Sequence, residues 1–80
     1  MPHVIVKLVS GRSEEQKAQL ANEIVHSVTS VLNCGDDLVS VAFEEINPAD
    51  WTEKVYTPDI QGNWDKLYKE PGYNPFEKKA

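Results

Sequence analysis

A single cysteine, Cys34, serves the whole of this 80-residue chain, so there is no intrachain disulfide and no cysteine-built metal cluster. It sits in NCGDD, which reads as a loop. No partner motif marks it as a nucleophile, and its isolation fits a reducing compartment. Cations are also scarce. Eight Lys and Arg stand against 13 Asp and Glu, for a net charge of −5. A general nucleic-acid or membrane-surface binder would show a basic stripe, and none is present. A small anion is still open to the chain, because one Arg can hold a carboxylate locally. No stretch reaches the length of a membrane span, and no charged-then-apolar leader precedes the first apolar run. The expected location is the cytoplasm. There is no glycine-rich phosphate loop, no GxSxG and no HExxH. His3 and His26 lack ligand spacing, so no metal site is expected.

What the chain does have is periodicity. HVIVKLV, residues 3–9, is rich in β-branched residues and predicts a strand. Val4, Val6 and Leu8 share one face; His3, Ile5, Lys7 and Val9 share the other. Pro2 precedes it, at the position where a strand tolerates proline. Ser13 then predicts a helix N-cap, with Gln16 completing a capping box and Glu14 and Glu15 in the first turn. Leu20, Ala21, Ile24, Val25, Val28, Val31 and Leu32 recur at helical spacing. The helix spans about 14–32, with Asn33 and Gly35 as the stop. LVSVAFEEI, residues 38–46, predicts a second strand. Strand, long helix, strand is a βαβ pattern with parallel strands. Two strands are too few to stand alone, so their neighbours come from the C-terminal part or from another chain. TEKVYTPDI reads as an irregular connector. Trp64, Leu67 and Tyr68 predict a short helix over 60–70, and Tyr73 and Phe76 are candidates to pack on a neighbouring subunit. The length suits one domain, 1–80, and at this size association is a common source of stability.

Three residues could carry chemistry. Removal of Met1 would turn Pro2 into a terminal secondary amine, able to take a proton or attack a carbonyl. Ordinary α-amino groups titrate near pH ~8, and apolar surroundings or neighbouring cations lower that value towards the range of a useful base. The plainer reading of Pro2 is a residue compatible with a strand start. Arg12 lies between the first strand and the helix cap, at the end of a βαβ strand where ligands are favoured. It reads as a carboxylate clamp or as a solvated turn residue. Trp51, after the Asn47-Pro48 turn, reads as a pocket wall or as part of a core or interface. Glu44 and Glu45 are neighbours on a strand, face opposite sides and do not form an acid–base pair.

Pro2 behind Met1, the strand HVIVKLV and then SGRSEEQKAQL resemble the 4-oxalocrotonate tautomerase superfamily. Pro2, Gly11, Arg12, Ser13 and the EQK of residues 15–17 stand at the family's offsets. SVAFEEINPADW and KEPGY are similar to the short bacterial phenylpyruvate-tautomerase-like members, and the likeness covers roughly residues 2–73. The resemblance implies an α+β fold: a β-α-β, MIF-like tautomerase subunit with parallel strands, a long crossover helix and a short C-terminal helix, its sheet completed by dimerisation. It implies an isomerase that needs no cofactor and acts on a small 2-keto acid or its enol. Pro2 would be the general base of enol–keto tautomerisation, Arg12 the carboxylate binder and Trp51 an approximate counterpart of the pocket aromatic. The best-known members carry a second Arg where this chain has Ala42, which favours a mono-acid such as phenylpyruvate over a diacid. The C-terminal region favours a homodimer over a trimer of dimers. Two alternatives are a hydratase or dehalogenase on the same scaffold, with Glu44 or Glu45 serving the water, and a non-enzymatic dimeric interaction module.

Overall fold

The computed structural model describes residues 1–77. They form two compact units, divided after Ile46. In the first, strand β1 (His3–Val9) leads through helix α1 (Glu14–Leu32) to strand β2 (Ser40–Ile46). The strands pair in parallel, from His3 opposite Ser40 to Val9 opposite Ile46. A parallel pair needs a long crossover, and α1 supplies it. Because partners across the ladder share a face, Val4 with Val41, Val6 with Phe43 and Leu8 with Glu45 form one surface. That is the surface α1 covers. Ala18 and Ala21 of the helix line a concavity there with Val41 and Phe43, and Lys17 reaches Glu45. The opposite face carries Ile5 beside Ala42, Lys7 beside Glu44, and Val9 beside Ile46.

The helix begins and ends as its sequence dictates. Ser13 Oγ accepts the Gln16 backbone N–H at 3.1 Å, and Gln16 Oε1 accepts the Ser13 N–H at 3.1 Å, so both halves of the capping box form. At the other end Asn33 adopts the left-handed region (φ 54°, ψ 52°), which Asn tolerates better than most residues. The second strand starts two residues later than the sequence suggested. Asp36–Leu38 form a single 3-10 turn instead, with the Leu38 N–H bonded to Gly35 O and the Val39 N–H to Asp36 O. Leu38 is spent closing that turn.

The second unit, from Asn47 onward, departs further from expectation. Asn47 Oδ1 accepts the Ala49 N–H at 3.0 Å and starts a 3-10 turn at Pro48–Asp50. TEKVYTPDI is helical rather than irregular, wound wide as a π-helix over Thr52–Ile60. Pro58 lies within it. Proline has no N–H for an i−4 bond and its ring crowds the carbonyl there, which a wider winding relieves. The helix expected over 60–70 is shorter, a 3-10 stretch at Gln61–Lys66 distorted at Asn63 (φ −125°, ψ 30°). Leu67 is already extended. The helical spacing of Trp64, Leu67 and Tyr68 is therefore not a helix face, and Tyr68 is fully exposed. Val55 and Tyr56 are the buried apolar residues among those described. The Tyr73 and Phe76 rings lie 5.6 and 5.9 Å from that of Tyr56, so both tail aromatics pack on their own chain.

Two expectations follow for stability. Ser13→Ala removes one half of the capping box and should destabilise the chain by about 1 kcal/mol in urea unfolding, with Ser13→Asp recovering most of the loss. Lys17 concerns pH. Its ammonium is hydrogen-bonded by Glu14 and then by Glu45, which raises its pKa above 10.5 against a smaller opposing effect of desolvation. The folded chain thus holds this proton more tightly than the unfolded one, and the stabilisation is complete below pH 10.5. It declines as pH climbs through the raised value. Unfolding of Lys17→Met and of the unaltered chain, compared from pH 8 to 12, should show a gap that narrows only at the alkaline end.

Candidate active site

The two ends of β1 hold the two leading candidates. At its start, the Pro2 carbonyl accepts the Ser40 N–H at 3.2 Å, which ties the half-buried proline to the first residue of β2. Next to it, His3 Nδ1 and Ser40 Oγ lie 2.6 Å apart. The ladder uses only the carbonyl of Pro2. Its nitrogen is an amide while Met1 is attached and becomes a secondary amine once Met1 is cleaved.

At the far end, the Ser10 N–H closes the ladder on Ile46 O at 3.0 Å. Gly11 then turns the chain with φ 124°, a conformation that a side chain would strain. This turn sets Ser13 on the helix N-cap and exposes Arg12 just before it. The Arg12 guanidinium makes no hydrogen bond or ion pair among the described residues. It lines a shallow concavity of about 240 Å³ with Leu8, Gln16, Lys17 and Leu20. Two apolar side chains and a guanidinium together suit an anion with an apolar body.

Lys17 adds a second cation to that wall, but its charge is committed. Nζ stands 2.7 Å from Glu14 Oε1 and 3.0 Å from Glu45 Oε1, and the side chain is only 15% exposed. Lys17 also lines a neighbouring concavity with Glu14, Ala18, Ala21, Val41 and Phe43. Leu8, Lys17 and Leu20 were named from sequence for their place in strand, helix and motif, but not as site residues. The available signal was the four-residue step from Gln16 to Leu20, which repeats on one helix face beside Arg12.

One chain does not bring Pro2 and Arg12 together. A parallel strand rises ~3.3 Å per residue, so the ends of His3–Val9 lie about 20 Å apart, beyond the reach of any side chain. Trp51 belongs to the second unit. It is half-buried, and its indole N–H donates to Tyr73 Oη at 2.8 Å. Ala42 pairs with Ile5 on the sheet face away from α1. Glu44 and Glu45 do face opposite sides, each towards a lysine: Glu44 with Lys7 at 3.8 Å and Glu45 with Lys17. Among the described residues no helix is long and apolar enough to cross a membrane.

Comparison with known proteins gives the family. The tautomerase enzyme family matches residues 2–54, a span that starts at Pro2 and takes in Arg12 and Trp51. A Xylella fastidiosa protein named "Probable tautomerase" is 42% identical over 73 residues, covering 91% of this chain and 89% of its own. Tautomerase PptA of Pectobacterium carotovorum is 40% identical over 75 residues, covering 92% of this chain and 99% of its own. Among solved structures, apo unfused 4-OT superposes with a TM-score of 0.60 at 28% identity, over 61% of this chain and 80% of that one. Its β-α-β first unit and these relatives together establish that the chain belongs to the tautomerase family of the 4-oxalocrotonate tautomerase superfamily, and is an isomerase.

Proposed function

We propose that the chain converts the enol of a 2-keto acid such as phenylpyruvate to its keto form, with the Pro2 amine, freed of Met1, as general base and Arg12 as the carboxylate binder. The observation that carries this reading is the placement of Pro2 and Arg12 at opposite ends of one strand whose outer edge is unpaired among the described residues. A homodimer reconciles them. A two-fold axis perpendicular to the sheet pairs β1 with β1 of the partner in antiparallel fashion and keeps both helices on one side. Each Pro2 then lies beside the Leu8–Arg12 end of the partner subunit, giving two composite sites per dimer. Such pairing also removes an open edge and makes a four-stranded sheet from two marginal ones. Ile5 and Val9, 49% and 39% exposed on β1, show how little of the sheet one protomer covers. This is one domain's work, assembled twice, and it fits a cytoplasmic enzyme.

The chemistry follows from those placements. Arg12 of the partner subunit holds the substrate carboxylate through two hydrogen bonds. The neutral Pro2 amine takes the proton from the enol oxygen, the C=O bond forms, and the same proton is returned to carbon 3. No atom is gained or lost, and no cofactor enters. The guanidinium also steadies negative charge that develops on the oxygen beside the carboxylate. Its positive charge, with the apolar walls of Leu8 and Leu20, disfavours the protonated amine and keeps the base neutral near pH 7. Trp51, which the resemblance makes an approximate counterpart of the pocket aromatic, lies in the second unit, where its indole N–H donates to Tyr73 Oη.

Ketonisation of phenylenolpyruvate, followed beside the intact mass that reports Met1 removal, tests this directly. Pro2→Ala should lower kcat/KM by ~10²–10⁴-fold, the usual worth of a positioned general base; a fully active variant rejects the assignment. Arg12→Ala should raise KM by about tenfold or more, as the loss of a charged hydrogen-bond pair predicts. Each variant alone is impaired, but mixing and re-annealing them makes heterodimers with one intact composite site. Random mixing should restore about a quarter of the unaltered activity, whereas sites built within one chain would restore none.

A further inference from the structure

The concavity at Arg12 is walled by two cations but presents only one of them freely. Lys17 lines the same wall, yet its ammonium is drawn to Glu14 at 2.7 Å and Glu45 at 3.0 Å. These partners differ. Glu14 is 90% exposed on the first turn of α1, three residues from Lys17, and a contact of that kind is weakly held. Glu45 comes from β2, on the face that α1 covers, and is opposite Leu8, itself a wall of the concavity. The strand fixes its backbone, and its side chain is 40% exposed against 90% for Glu14, so this contact is the more sheltered of the two. Glu45 reaches a lysine side chain that is largely shielded from water.

We propose that Glu45 is a specificity-determining residue: by fixing Lys17 it leaves Arg12 as the one uncommitted cation of the concavity, so the site takes a monocarboxylate with an apolar body and rejects a dicarboxylate. This rests on the reading of the concavity as the substrate site. A second carboxylate on the substrate would meet Leu8, Leu20 and an ammonium already matched by two carboxylates. It would lose its water without gaining a partner, a cost that a phenyl group does not carry. Repulsion from Glu45 acts in the same direction. Discrimination of this kind works by an unfavourable contact with the wrong substrate rather than an extra contact with the right one.

The test uses the Met1-cleaved homodimer and its Glu45→Gln variant, which keeps the shape and hydrogen-bonding capacity of the side chain while removing its charge. kcat/KM is measured for phenylenolpyruvate and for the enol of oxaloacetate, a 2-keto diacid. Glu45→Gln should raise the diacid-to-monoacid ratio by about fivefold, the worth of one partly screened charge contact, and should do so through the diacid KM. The double variant Glu14→Gln/Glu45→Gln should raise it further, because Lys17 then has no carboxylate beside it. A general packing defect would lower both substrates together and leave the ratio unmoved. A ratio within roughly twofold of the starting value in both variants overturns the proposal. Calorimetric binding of malonate against phenylacetate, on the same proteins, reports the charge of the site without turnover. If neither enol is converted but malonate gains on phenylacetate in Glu45→Gln, the charge assignment stands and the tautomerase reading of the site falls. If enols are converted normally and neither ratio shifts, the charge assignment alone falls.

Discussion

The parallel pairing of β1 with β2 is the constraint on which the rest depends. It forces a long crossover, which α1 fills, and it leaves each strand with one unpaired edge among the described residues. It also fixes which side chains meet the helix: Val4, Val6 and Leu8 from β1, and Val41, Phe43 and Glu45 from β2. The charged member of that set is Glu45, and a carboxylate placed on a helix-facing surface needs a counter-charge. Lys17 supplies it from the first half of α1. One ion pair thus links helix placement to the electrostatics of the concavity beside Arg12.

The same pairing separates the proposed proton acceptor from the proposed anion binder. With Pro2 at the start of β1 and Arg12 beyond its end, the strand works as a spacer of about 20 Å. A chain of 80 residues gains from association in any case, because it covers so little of its own sheet. Antiparallel pairing of two such strands brings unlike ends together at both termini at once. In the proposed dimer, stability and assembly of the site would follow from a single contact.

How much of this was legible in the sequence depends on whether local chemistry or distant contacts decided it. The helix was legible at both ends, because Ser13, Gln16 and Asn33 act within a turn of themselves. The strands and their faces were legible from alternation, with Leu38 lost to a turn that the Gly35-Asp36-Asp37 run favours. The second unit was not. Val55 and Tyr56 carry its burial from within a segment with no clean apolar period, and a π-wound helix has no 3.6-residue signature to find. At the candidate site, residue chemistry offered Pro2 and Arg12 only as candidates beside plainer readings, and the resemblance to the tautomerase superfamily, whose motif has fixed offsets, singled them out together with Gly11. The commitment of Lys17 could not be read, since its second partner lies 28 residues away and depends on strand register.

Proline is tolerated at the head of a strand, and the proposed chemistry would use what it lacks there. A central strand residue spends its N–H on the ladder and leaves no nitrogen for chemistry. Proline has no N–H to spend. Here the ladder takes only the Pro2 carbonyl, from the Ser40 N–H, so the terminus is held by its acceptor while the ring nitrogen is left out of the hydrogen-bonding scheme. Cleavage of Met1 would create an amine on a backbone already fixed in place. A side-chain base of equal strength would need its rotamers frozen by packing, at a cost in entropy that a ring at the head of a strand does not incur. The strand that carries Pro2 is also the strand proposed to pair in a homodimer, so in that assembly one set of backbone hydrogen bonds would both join the chains and bring the Pro2 nitrogen to the Arg12 end of the other strand.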